Sequence, residues 1–147
     1  MGLHPNFPVV QGAYRLTRDW ELELPGEFSR RLEEGDLVLW RPRLTFWIAV
    51  WGKDGDRTTE DTLTWIQSGA SPERTDEKVV RSSGSIRLTY RLHEEDPDRI
   101  PSRYVSISGF VIEPSGHVQI SAYCDDAAAE RLAERVIASV RCLLVPD

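Results

Sequence analysis

The stretch Asp36–Trp51, DLVLWRPRLTFWIAVW, constrains the fold most, because it is a long apolar run with few charges and carries three of the chain's five tryptophans. Read with period two, Leu44, Phe46, Ile48 and Val50 fall on one face and Thr45, Trp47, Ala49 and Trp51 on the other. A half-solvated strand alternates apolar with polar residues. A run apolar on both sides predicts an interior strand at the centre of a sheet, covered on both faces. The run is too short for a membrane helix, which needs about 20 apolar residues.

The rest of the chain arranges itself around that strand. Residues 1–12 carry Pro5, Pro8 and Gly12 with little periodicity and read as an extended N-terminal arm, leaving 13–147 as one domain. Tyr14, Leu16, Trp20, Leu22 and Leu24 alternate with polar residues, a half-buried strand stopped by Pro25-Gly26. Phe28–Glu33 fits a short strand or a helical turn. Leu37–Trp40 and Arg43–Trp51 then form a hairpin with a break at Pro42. Thr58 or Thr59 caps a short helix carrying Leu63, Ile66 and Trp65, which ends at Gly69. Thr75–Arg81 suits an edge strand, and Ile86, Leu88, Tyr90 and Leu92 mark a strand buried on one face. Tyr104–Ile112 and His117–Tyr123 flank the turn Glu113-Pro114-Ser115-Gly116. Asp125 or Asp126 caps a final helix over Ala127–Val140, with Ala129, Leu132, Ala133, Val136, Ile137 and Val140 at helical spacing. No internal repeat or linker is visible. The pattern predicts an α+β domain: a twisted, mainly antiparallel sheet with a short middle helix and a C-terminal helix packed on it.

Composition excludes several functions. With 147 residues, 40% apolar and 29% charged, the chain is globular and large enough to need neither disulfide nor metal for its core. A net charge of −6 argues against a nucleic-acid partner, whose phosphates draw clustered Lys and Arg. Acidity favours solubility, or a basic partner. Cys124 and Cys142 lack His or Cys neighbours at metal spacing and read as reduced, buried thiols. The N-terminal MGLHPNFPVVQG lacks the apolar core of a secretory signal, so the chain reads as cytoplasmic.

No catalytic set emerges. His4, His93 and His117 stand apart from one another and from any HExxH or CxxC pattern, so no metal or cofactor is expected. Cys124 beside Asp125, just before a helix, would need His93 or His117 brought in by folding before it could act as a nucleophile. The acidic loop Glu94, Glu95, Asp96 and Asp98 lacks the graded oxygens and turn glycine of a calcium loop. Trp40, Trp47 and Trp51, with Arg41 and Arg43 close by, are the candidate binding residues, since Trp and Arg are enriched at interface hot spots.

The succession of elements resembles the PsbP-like, DcrB-like group of small bacterial domains. The resemblance rests on Leu24-Pro25 closing an early strand and on Thr59-Glu60-Asp61 opening a helix that reaches Trp65. It also rests on the hairpin Ser106–Ile112 and His117–Tyr123, which runs into a helix ending in Ile137–Val140. What it implies is an antiparallel sheet with helices packed on it and a non-enzymatic binding role, some members acting as chaperones or adaptors for secreted effectors. No functional residue carries over, because the group has no shared active-site signature.

The resulting expectation is a non-enzymatic, protein-binding domain that works as a dimer. Its role within that class is either chaperone or adaptor for a secreted effector, or toxin-immunity protein. The alternative is a small-molecule carrier or minor hydrolase with an aromatic-lined pocket at Trp47, Tyr90 and Tyr123.

Overall fold

A computed structural model describes residues 7–53 and 55–144. The strands are β1 (Val9–Arg15), β2 (Trp20–Glu33), β3 (Asp36–Arg41), β4 (Leu44–Gly52), β5 (Thr75–Ser82), β6 (Ser85–Glu95), β7 (Arg103–Glu113), β8 (Gly116–Cys124) and β9 (Arg141–Cys142). The helices are α1 (Thr59–Gly69) and α2 (Ala127–Ser139). Every pairing is antiparallel, in the order β1-β2-β3-β4-β8-β7-β6-β5, with β9 on β2. Strands hold 56% of the described residues and helices 18%. This overturns the expected α+β, PsbP-like class: the fold is one large antiparallel sheet with two helices.

The reason lies at the N-terminal end. Pro25-Gly26 does not stop a strand, and β2 runs through it for 14 residues. Across this point Leu24 pairs with Gly12 and Phe28 with Val10, so Pro25, Gly26 and Glu27 face only Gln11. Such a bulge needs no ladder donor from proline. There β2 also changes its other neighbour, from β9 at Trp20–Glu21 to β3 at Ser29–Glu33. Val9–Gly12, read as part of an arm, is strand; the first residues of that arm, 1–6, lie outside the described residues.

β4 sits mid-sheet between β3 and β8, in full register with β8 from Leu44↔Cys124 to Gly52↔Gly116. One side of this seam holds β1–β4 and β9, the other β5–β8, and each run of four consecutive strands is followed in the chain by a helix. The helices nevertheless take opposite faces. On what we call the inner face, α2 packs Ala129, Ala133, Val136 and Ile137 onto a core built from Leu22, Leu24, Phe28, Leu39, Phe46, Val118, Ile120 and Ala122. At β6 the inner-facing residues are Arg87, Thr89 and Arg91, which offer α1 nothing apolar. α1 therefore buries Leu63 and Ile66 on the outer face, against Ile86, Leu88, Tyr90, Phe110 and Ile112. Trp65, expected in its apolar stripe, is 53% exposed. No helix is long and apolar enough to cross a membrane.

Helix capping follows the sequence closely. Thr58 and Asp61 form a reciprocal capping box at α1, each side chain 3.0 Å from the other's backbone nitrogen. Asp126 caps α2, accepting from the Ala129 amide at 2.8 Å.

Candidate functional site

Because α1 packs on β6 and β7, it leaves the outer face of β3 and most of β4 without a helix and only flanks β8, where Thr62 and Trp65 share a cleft with Trp51 and His117. This corrects the expectation that β4 is covered on both sides: its inner residues Leu44, Phe46 and Ile48 are buried, but Thr45, Trp47 and Ala49 are only half-buried and Trp51 is 49% exposed. Strand register brings Val38, Trp47 and Ser121 into one outer row, and Trp40, Thr45 and Tyr123 into the next. Trp51 pairs laterally with His117, and the two rings stack with centroids 6.1 Å apart and 14° between planes.

Of the residues singled out from the sequence, Trp40, Trp47 and Trp51 share this surface, whereas Arg41 and Arg43 do not. Arg41 points to the inner face, its guanidinium 5.6 Å from the Phe28 ring. Arg43 occupies the β3–β4 turn with φ 73° and reaches Asp126 at the start of α2, at 3.0 Å. The cation on the tryptophans is Arg31, which lies 4.7 Å from the Trp40 ring centroid and 6.0 Å from that of Trp47. Counting back through the Glu33↔Asp36 hairpin puts Arg31 opposite Val38, a placement that only the paired register reveals. Phe7 meets the Trp40 ring edge-on at 5.0 Å.

A shallow cavity of about 370 Å³ opens on this face, lined by Asp36, Trp47, Ala49, Trp51, Gln119, Ser121 and Tyr123 among others. Tyr90 is not among them: it lies beneath α1 with its ring 6.1 Å from Phe110. The three-residue aromatic pocket expected at Trp47, Tyr90 and Tyr123 is therefore not assembled. Toward the end of β8, Tyr123 and Tyr104 approach at 6.2 Å, and Arg99 covers Tyr104 at 3.9 Å. Burial and the nearby Glu94 carboxylate raise the Tyr123 pKa, so its phenol stays protonated and able to donate.

The nucleophile reading fails on geometry and on ionisation. Cys124 points inward, and Val105 of β7 separates it from His93 on β6. Burial, then Glu130, pushes its thiol pKa up to about 12. His117 lies on the other face, and burial followed by the Arg57 charge lowers its pKa. Both cysteines are free; Cys124 is buried, while Cys142, in β9 beyond the helix, is half-buried.

No known protein family matches this chain, and none of the curated proteins does. Among solved structures, a crystal structure from Bacteroides thetaiotaomicron VPI-5482 at 1.50 Å resolution is similar, with a TM-score of 0.67 and 13% identity. The likeness covers 90% of this chain and 49% of the other, so the present chain spans about half that protein's length. At such identity the two share a fold.

Proposed function

We propose that this chain is a non-catalytic, cytoplasmic domain that binds a folded protein partner on the outer face of β3, β4 and β8. The observation that carries the reading is the outer-face cluster of half-buried Trp40 and Trp47 with exposed Trp51, set among the smaller Thr45, Ala49, Gln119 and Ser121. Large rings that move little on binding, beside free amide and hydroxyl groups, make an anchor surface of the kind found at interface centres. The mixture of aromatic and polar groups fits the surface of a folded partner better than an unfolded effector segment, and the charge of −6 suits a basic one. Within the class, this favours a toxin-immunity role over a secretion chaperone. Free thiols fit a reducing compartment.

The test compares the wild-type chain with Trp47→Ser and Trp51→Ser as baits in extract from the source organism, followed by direct titration of the purified partner. The expected result is a basic protein bound by wild type and at least about tenfold more weakly by the variants, whose far-UV spectra are unchanged. Partner binding that ignores both substitutions sinks the proposal. Sedimentation equilibrium adds a second outcome: a dimer dissolved by Trp51→Ser means that the face serves self-association.

A further inference from the structure

On the inner face, α2 packs on β2, β8 and β7 and meets β6 through the side chains of Arg87 and Arg91, and a cleft of about 330 Å³ remains between the helix and strands β5–β7. That volume lies at the low end of small-molecule pockets, about 300–1,000 Å³. Ile107, Val111, Ile137 and Ala138 supply apolar lining, and Lys78 and Arg87 supply cations from adjacent strands. The two acids of the lining are both taken: Glu134 pairs with Arg91, and Asp76 lies 3.9 Å from the same guanidinium. Arg87 makes one hydrogen bond, to the Val140 carbonyl at 2.5 Å, and among the described residues neither it nor Lys78 has a carboxylate partner. Guanidinium carries five N–H donors in a planar fork, so Arg87 keeps donors to spare at the edge of an apolar cleft.

We infer that this cleft binds a small amphipathic carboxylate, its apolar body against Ile107, Val111, Ile137 and Ala138 and its head on Arg87 and Lys78. The charged groups of the lining, Lys78, Arg87 and Arg91 against Asp76 and Glu134, leave one net positive charge for a monoanion to balance, and the guanidinium fork of Arg87 matches the two carboxylate oxygens in shape. A neutral molecule of the same size leaves that charge unanswered. The site lies on the opposite face of the sheet from the tryptophans, so it stands or falls independently of the partner-binding proposal.

Octanoate is the probe, with 1-octanol and octylamine as neutral and cationic controls, titrated into 15N-labelled protein. The expected result is saturable octanoate binding that shifts amides of β5, β6 and the second half of α2, with neither control binding comparably. Arg87→Met weakens binding about tenfold or more, and Arg87→Lys restores part of it. Should loss of the Val140 contact unfold Arg87→Met, two exposed positions carry the test: Lys78→Ala weakens octanoate binding, and Ala138→Trp fills the cleft and abolishes it. Equal binding of octanol, shifts confined to the tryptophan face, or no saturation by octanoate overturns the inference.

Discussion

Gly109 sets the height of α2 above the sheet. A Cβ built there would stand 2.5 Å from Cγ2 of Ile137, closer than side chains tolerate, so helix and strand meet only because this residue has no side chain. Gly109→Ala is expected to cost about 1–3 kcal/mol, the range for overpacking a core. Ile137→Ala, which removes the clashing Cγ2, should cost less on the Gly109→Ala background than in the wild type, and urea unfolding of the single and double variants checks both. Cys124 makes a second prediction at this scale. With its pKa pushed up to about 12 and its side chain buried, it should stay unmodified by a thiol reagent at pH 8 in the folded protein. Half-buried Cys142 should react first, and mass spectrometry of the labelled peptides decides the order.

Among the elements, the hairpins show how turn chemistry can sit beneath its optimum. Glu33 pairs with Asp36, leaving Glu34 at φ 51° and Gly35 at φ 88°, the two positive values of a type I′ turn. The β5–β6 turn repeats this with Ser83 at φ 51° and Gly84 at φ 83°. Glutamate is a poor residue for the left-handed region, where asparagine is several-fold enriched. Glu34→Asn should therefore raise stability by about 0.5–1 kcal/mol, read from the denaturation midpoint. The β3–β4 turn solves the same problem differently: Pro42 presets the first corner and Arg43 takes φ 73°, while its side chain ties the turn to the cap of α2.

For the molecule as a whole, the ion pairs and caps fix a pH profile. Carboxyl pKa values are lowered at Glu21 by Arg141, at Glu60 by Arg81, at Asp61 by the Thr58 amide, and at Asp126 by the Ala129 amide and then Arg43. A folded pKa below the unfolded one means that the stabilisation is present above the unfolded value and is lost as pH falls through the folded value. His117 has the same sign for a different reason. Burial keeps it neutral, so its contribution is complete above its usual value of 6.5 and is lost as pH falls through the lower folded pKa. Urea midpoints should thus fall in two stages on acidification: His117→Gln flattens the stage below pH 6.5, and Asp126→Asn weakens the one below pH 4. A wild-type midpoint that stays constant from pH 7 to pH 3 contradicts this account.

The sequence by itself determined what depends on neighbours along the chain. The caps, to within one residue of Thr58 and Asp126, the hairpin across Pro42, the edge strand after Thr75 and the helical spacing from Ala129 to Val140 are local patterns, and each was legible. The central place of Asp36–Trp51 was also legible, since neither face of Leu44–Trp51 carries a charge. The tertiary structure decided what depends on pairing. Whether Pro25-Gly26 ends a strand turned on the bulge facing Gln11, which a partner strand supplies. The same held for Arg31 replacing Arg41 and Arg43 beside the tryptophans. Apolar periodicity could not say which face α1 would cover: Leu63 and Ile66 require an apolar surface, but the arginines on the inner side of β6 sent the helix outward and left the tryptophans of β4 open.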